Sequence, residues 1–271
     1  MELDLQKGKK AYKLVSSLGL WGNLFLFSLG ILAFGAFKAE ERPIEKQRKK
    51  TTLTISFEHF IGNSPLVLDS AEYKNELNQA FTLSRFRYYI SGLQLKGVSC
   101  SDYVSKEYFL IDEEDSLSKK LVFKDVPIGS YNELRFILGV DSLHNCSGLQ
   151  NGALDPINGM FWAWNTGYVF LKLEGKSSYS KSPGHLLEYH IGGFRKPANC
   201  IRKIQLALPH ISLASQKNSL LTINTDAMEV LKNPVAIDFS KLSSVVAFHH
   251  ATTIADNYAD IFSVLKVEQE P

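Results

Sequence analysis

The stretch "TLTISFEHF", residues 52–60, constrains the fold more tightly than any other part of the chain. Leu53, Ile55, Phe57 and His59 alternate without a break with Thr54, Ser56 and Glu58. Side chains of an extended strand point to opposite faces in turn, so the pattern describes a strand with one face buried and the other in water. It also sets His59 on the buried face. An imidazole there loses hydration and needs partners for its ring nitrogens.

The same kind of segment recurs along the chain. "RYYISGLQLKGV", "EYFLI", "KLVFKDV", "ELRFILGV", "YVFLKLEG", "EYHIGGF", "IRKIQLAL" and "LLTINT" are rich in Tyr, Phe, Ile, Val and Leu and are bounded by Gly, Pro, Asn or Asp. Each reads as a short strand. Helical signals are few. "DAMEVLKNP" predicts a short helix capped by Asp226 and stopped by proline, and "ADNYADIFSVLKV" a short helix running into a last strand. The expected fold is all-β: an antiparallel β-sandwich of two sheets, Ig-like in architecture, over residues 52–271. Residues 141–160, "DSLHNCSGLQNGALDPINGM", form a long connection full of turn residues. A connection of that length is usually functional or a packed Ω-loop.

Ahead of this domain, Lys7, Lys9, Lys10 and Lys13 precede an apolar run over residues 14–37. A basic stretch followed by an apolar one reads as an export signal, and the run is long enough to serve as an uncleaved anchor. Residues 1–37 are therefore expected to be a signal peptide or signal anchor, and 38–51, "KAEERPIEKQRKKT", a charged linker. The expected location is the periplasm or cell envelope. Export bears on Cys100, Cys146 and Cys200, since thiols in an oxidising compartment tend to pair. Cys146 and Cys200, each in a turn-rich loop, are the expected pair, leaving Cys100 as a free buried thiol.

A net charge of +2 and the lack of a basic stripe with interleaved aromatics argue against a nucleic-acid partner. The G-x-S-x-G, H-E-x-x-H, C-x-x-C and phosphate-loop patterns are absent, and no enzyme is expected. Three residues besides His59 stand out. His190 in "EYHIGGF" precedes two glycines, which permit close backbone approach at a strand end. Trp162 and Trp164 in "GMFWAWNTGYVFLKLEGK" share a face if the backbone is extended. Such a pair is core packing, a carbohydrate-stacking platform or the starting point of a chemical modification. Two imidazoles suit zinc or copper; zinc usually takes four ligands, whereas monovalent copper accepts a few soft or imidazole donors.

"RYYISGLQL", "FILGVDS", "GALDPINGMFWAWNTGYVFLKLEG", "YHIGGF" and the late "IADNYADIF" together resemble the MbnP-like family in its Bacteroidetes-type branch. These are periplasmic proteins named for their association with methanobactin, a copper-chelating peptide. The resemblance covers residues 52–267. It implies a β-sandwich that binds copper, with a tryptophan oxidised to kynurenine by a diheme partner of the MauG type, and a membrane-embedded copper transporter as a further partner. His190 matches the histidine of the family's H-(I/L)-G motif, and Trp162 and Trp164 its two aromatic positions. His59 matches a histidine ending the first strand. His144 falls near a loop histidine of methanotroph members, but the order is "LHN" here against "LNH" there, and their cysteine-rich insertions are missing. The resemblance thus implies a copper site drawn from His59, His190, Trp162 and Trp164. The alternative is a metal-free binding module of the cell envelope that uses an aromatic patch for glycan or protein contact.

Overall fold

The alternation in residues 52–60 becomes strand β1 (Lys50–Ile61), with Thr51, Leu53, Ile55, Phe57, His59 and Ile61 all turned inward. The structure is a computed structural model that describes residues 49–164, 167–215, 217–246 and 249–269. The apolar run at 14–37 and most of the charged linker lie outside the described residues. β1 takes in the linker's end: Lys50 and Thr51 pair with Pro127 and Val126. No helix among the described residues is long and apolar enough to cross a membrane.

The remaining long strands are β2 (Ala80–Gly97), β3 (Tyr108–Asp112), β4 (Lys120–Pro127), β5 (Gly129–Leu138), β6 (Gly167–Lys176), β7 (Leu186–Gly192), β8 (Arg202–Leu213), β9 (Ser219–Asp226) and β10 (Phe262–Gln269). They form the two sheets of a β-sandwich. The smaller runs β10–β9–β1–β4, and the larger runs β8–β5–β2–β6–β7 with β3 added to β2. Between them, Phe57 of β1 meets Tyr88 and Phe136 edge-on at 6.4 Å each, and Phe136 meets Phe262 at 4.9 Å. Such crossed rings supply both buried area and favourable quadrupole contacts.

Pairing is mostly antiparallel, with one large exception. β1 and β9 run parallel, in register from Leu53↔Ser219 to Phe60↔Asp226. The chain reaches β9 from β8, in the other sheet, so no hairpin dictates its direction. β2 also departs from simple alternation. Phe86, Tyr88 and Ile90 face the small sheet, and then the register with β5 shifts between Ser91 and Gln94. Gly92, at φ +58°, takes the backbone through this irregularity.

Tyr89 is buried on the opposite face of β2, beneath the 141–160 connection. That segment has structure of its own: α1 (Ser142–Cys146) and two short 3-10 turns, Gly152–Leu154 and Pro156–Asn158. Tyr89 donates its hydroxyl to the Ala153 carbonyl and Tyr168 donates to that of Leu154, each at 2.8 Å, pinning the segment to the large sheet.

Two expectations fail locally. The helix expected from Asp226 is only a 3-10 turn at Glu229–Leu231; Asp226 closes β9 and its carboxylate accepts from the Gly62 and Met228 amides. The Asp226–Met228 bond is the kind that opens either an Asx-turn or a helix, and here the chain goes on into a single 3-10 turn. The second concerns the thiols. Cys100, Cys146 and Cys200 are all free, so the Cys146–Cys200 pair is not formed, and Cys100 is half-buried. Cys200 is fully buried and points at the Ala198 carbonyl, while Cys146 is exposed beside Arg195. The helix expected near the end does form, as α2 (Ala251–Tyr258) leading into β10.

Candidate functional site

The four sequence candidates fall into two places separated by the large sheet. His59 lies in the sandwich interior, 5 % exposed, its ring 5.1 Å from that of Phe86 and 5.5 Å from that of Tyr88. Its Nδ1 is 2.7 Å from Glu113 Oε2 and its Nε2 is 2.9 Å from the Tyr88 hydroxyl. The bonds form one directional chain. Thr225 donates to Tyr88, Tyr88 donates to Nε2, and Nδ1–H donates to Glu113, which also accepts from Lys119 at 2.6 Å. Burial lowers the His59 pKa despite the carboxylate partner. Burial alone would raise the Glu113 pKa, but the hydrogen bonds from His59 and Lys119 prevail and hold it below the ordinary range. His59 is a neutral core histidine with both nitrogens engaged, and no lone pair is left for a metal.

His190 sits on the other side of the large sheet. In β7, Leu187, Tyr189 and Ile191 are fully buried, which sends Glu188, His190 and Gly192 to the outer face. His190 lies opposite Lys172, which lies opposite Arg87, and Arg87 is the outward neighbour of inward-facing Tyr88. The structure therefore does not bring His59 and His190 together. The Nε2 of His190 is 2.7 Å from Glu174 Oε1, and that hydrogen bond holds the Glu174 carboxyl below the usual carboxylate range. Arg85 grips the other oxygen of Glu174 at 2.8 Å. The imidazole is thus oriented by a carboxylate that is itself fixed, with Nδ1 left as the acceptor nitrogen. A carboxylate holding one ring nitrogen is the usual support of a metal-ligating histidine.

The tryptophans meet this face. Trp162 pairs with Gly167 in the two-residue strand Phe161–Trp162, and its six-membered ring lies against the α-carbon of Gly192. A methyl group there would come within 2.8 Å of the ring and would also strike the Tyr168 carbonyl oxygen. The glycine after "HI" exists for this approach. Gly192 and His190 project from the same side of β7, two positions apart, so Trp162 and His190 share a surface. Trp164 does not continue the strand. The chain turns at Ala163, leaving Trp162 7 % and Trp164 67 % exposed, with ring centres 5.7 Å apart and planes tilted by 45°. The pair is therefore no flat stacking platform. His144 is engaged at the start of α1, its Nδ1 2.7 Å from the Tyr108 hydroxyl and 3.0 Å from Asp141.

Beside Trp162 opens a cleft of about 910 Å³, walled by residues 145, 146, 148, 149, 161–163, 167 and 193–198. Among the described residues, no three of His, Cys, Asp and Glu converge on a point where they would hold a metal ion. The donor set at His190 still fits a soft ion of low coordination number: one oriented imidazole nitrogen, and an indole that becomes a donor only if its ring is opened. Reading the sequence alone misses Glu174 and the cleft. Glu174 lies two positions after Lys172, on the outward side of β6, and only the β6–β7 register sets it against His190.

No curated protein matches the chain. Among solved structures, MbnP from Methylosinus trichosporium aligns with 82% of this chain and 100% of its own, at 13% identity and a TM-score of 0.45. The family model described as MbnP matches residues 50–248, which takes in β1, the 141–160 segment, both tryptophans and His190. The chain belongs to the MbnP family.

Proposed function

We propose that the chain is an exported copper-binding protein of the periplasm or cell envelope, serving copper acquisition or homeostasis. The residues that would hold monovalent copper are His190, through Nδ1, and Trp162 after oxidation of its indole to kynurenine. Ring opening supplies an aryl amine and a carbonyl, donors that intact indole lacks. A diheme oxidase of the MauG type is the partner for that oxidation, and a membrane-embedded copper transporter is a partner for delivery. The observation that carries this reading is the placement of Trp162 on Gly192, on the face where Glu174 orients His190. The chain's own residues do three things there: Glu174 fixes the imidazole tautomer, Arg85 fixes Glu174, and Gly192 admits the ring. His59 takes no part.

The test is co-expression with the diheme oxidase, followed by metal analysis and peptide mass spectrometry. The expected result is bound copper and a Trp162 peptide that has lost a carbon and gained an oxygen. His190→Ala loses the copper and His59→Leu keeps it. Unmodified Trp162 with no copper, or copper retained by folded His190→Ala, refutes the proposal.

A further inference from the structure

We infer that the cleft beside Trp162 is a binding site for a small organic anion with an apolar or aromatic body. The inference concerns the cleft that Trp162 helps to line, not the seating of its ring on Gly192, and does not depend on copper. The cleft's volume of about 910 Å³ falls in the range of small-molecule sites. Its lining combines apolar and aromatic side chains, Leu149, Phe161, Trp162 and Phe194, with two cations, Arg195 and Lys196.

Charge selects the ligand. No Asp or Glu lines the cleft, and neither Arg195 nor Lys196 forms an ion pair among the described residues. This differs from the outer face nearby, where Arg85 and Arg87 are matched by Glu114, Glu174 and Asp112. Arg195 is also held in position. Its guanidinium carbon lies 4.8 Å from the centre of the Phe194 ring, and Nη2 donates to Cys146 Sγ at 3.4 Å. A planar cation stacked on an aromatic face presents its other donors to a carboxylate, sulfonate or phosphate. The apolar wall would hold the body of the ligand, since a well-hydrated inorganic anion gains nothing from Leu149 and Phe161. A cationic ligand would meet like charge at Arg195 and Lys196, and a neutral one would forgo the charge-assisted hydrogen bonds that an anion makes there. The site therefore selects molecules that are both anionic and apolar.

The probes that test this are anilinonaphthalenesulfonate and phenylnaphthylamine, which share a ring system and differ by the sulfonate. Both are titrated by fluorescence into the full chain without copper. The sulfonate should bind at one site, roughly tenfold more tightly than the neutral probe. Arg195→Ala with Lys196→Ala should remove that roughly tenfold advantage and leave the neutral probe unchanged. Phe194→Ala should weaken both probes. His190→Ala should bind as the parent does, which separates this site from the copper reading. Equal affinity for the two probes, an unaffected double variant, or loss of sulfonate binding in His190→Ala overturns the inference.

Discussion

Replacing Gly192 by alanine places a methyl group between Trp162 and the backbone of β6. The added carbon would lie 2.8 and 3.0 Å from two atoms of the six-membered ring and would overlap the Tyr168 carbonyl oxygen. Gly192 does not have a positive φ, so backbone conformation contributes nothing to the cost, which is steric. The oxygen belongs to a paired strand and cannot retreat, so the indole must move or β7 must shift. Overpacking of this kind costs about 1–3 kcal/mol. With a urea m-value of about 2 kcal/mol/M, the unfolding midpoint should fall by roughly 1 M. The chain has three tryptophans, so Trp21→Phe with Trp164→Phe leaves Trp162 as the sole indole reporter. In that background Gly192→Ala should shift Trp162 emission to the red as the ring leaves its seat. An unchanged midpoint together with unchanged emission would refute the claim that Gly192 seats Trp162.

Other outcomes follow from the same geometry. Because burial lowers the folded-state pKa of His59 from an ordinary value of 6.5, the unfolded chain takes up this proton first as pH falls. Stability from this group is complete above that pH and is lost below it, by up to about 1.4 kcal/mol per pH unit. Urea midpoints at neutral and mildly acidic pH should show the loss, and His59→Leu should flatten it; an equal slope in the variant contradicts a neutral core His59. With all three cysteines free, a disulfide-exchange thiol reagent should label Cys146 rapidly in the folded protein and all three thiols in denaturant. Cys200, its pKa pushed up to about 12 by burial, should be among the slow ones. Tyr89→Phe removes the hydroxyl that holds Ala153, at a cost of about 1 kcal/mol. Amide exchange should rise in residues 152–159 and not in β1.

β1 was readable because one face of it is buried and the other is not. Period-two alternation carries that information directly, and it placed His59 inward without any knowledge of its partners. The final helix and strand were readable for a similar reason, since both have strong local signals. What the sequence could not show is cross-strand register. His190 meets Glu174 only because β6 and β7 pair at Lys172↔His190, and residues 16 apart in the chain leave no local mark of such a bond. Whether His59 and His190 belonged to one site was likewise a question of which face each strand turned to the core. The tryptophan pair misled through a single assumption, an extended backbone through Ala163, where the chain instead turns. The cysteine pairing rested on compartment and loop composition, neither of which measures where the sulfurs point.

The parallel match of β1 to β9 has a consequence for the order in which the fold can close. Its partners are separated by some 166 residues, and β9 is flanked on its other side by β10. An emerging chain that has produced β1 through β8 lacks the clasp that shuts the small sheet over the aromatic core. Contacts this distant in sequence form late, after long loops have been closed. The small sheet therefore stays open on the β9 side of β1 until β9 itself has emerged, so the sandwich closes only after β1 through β8 have been made.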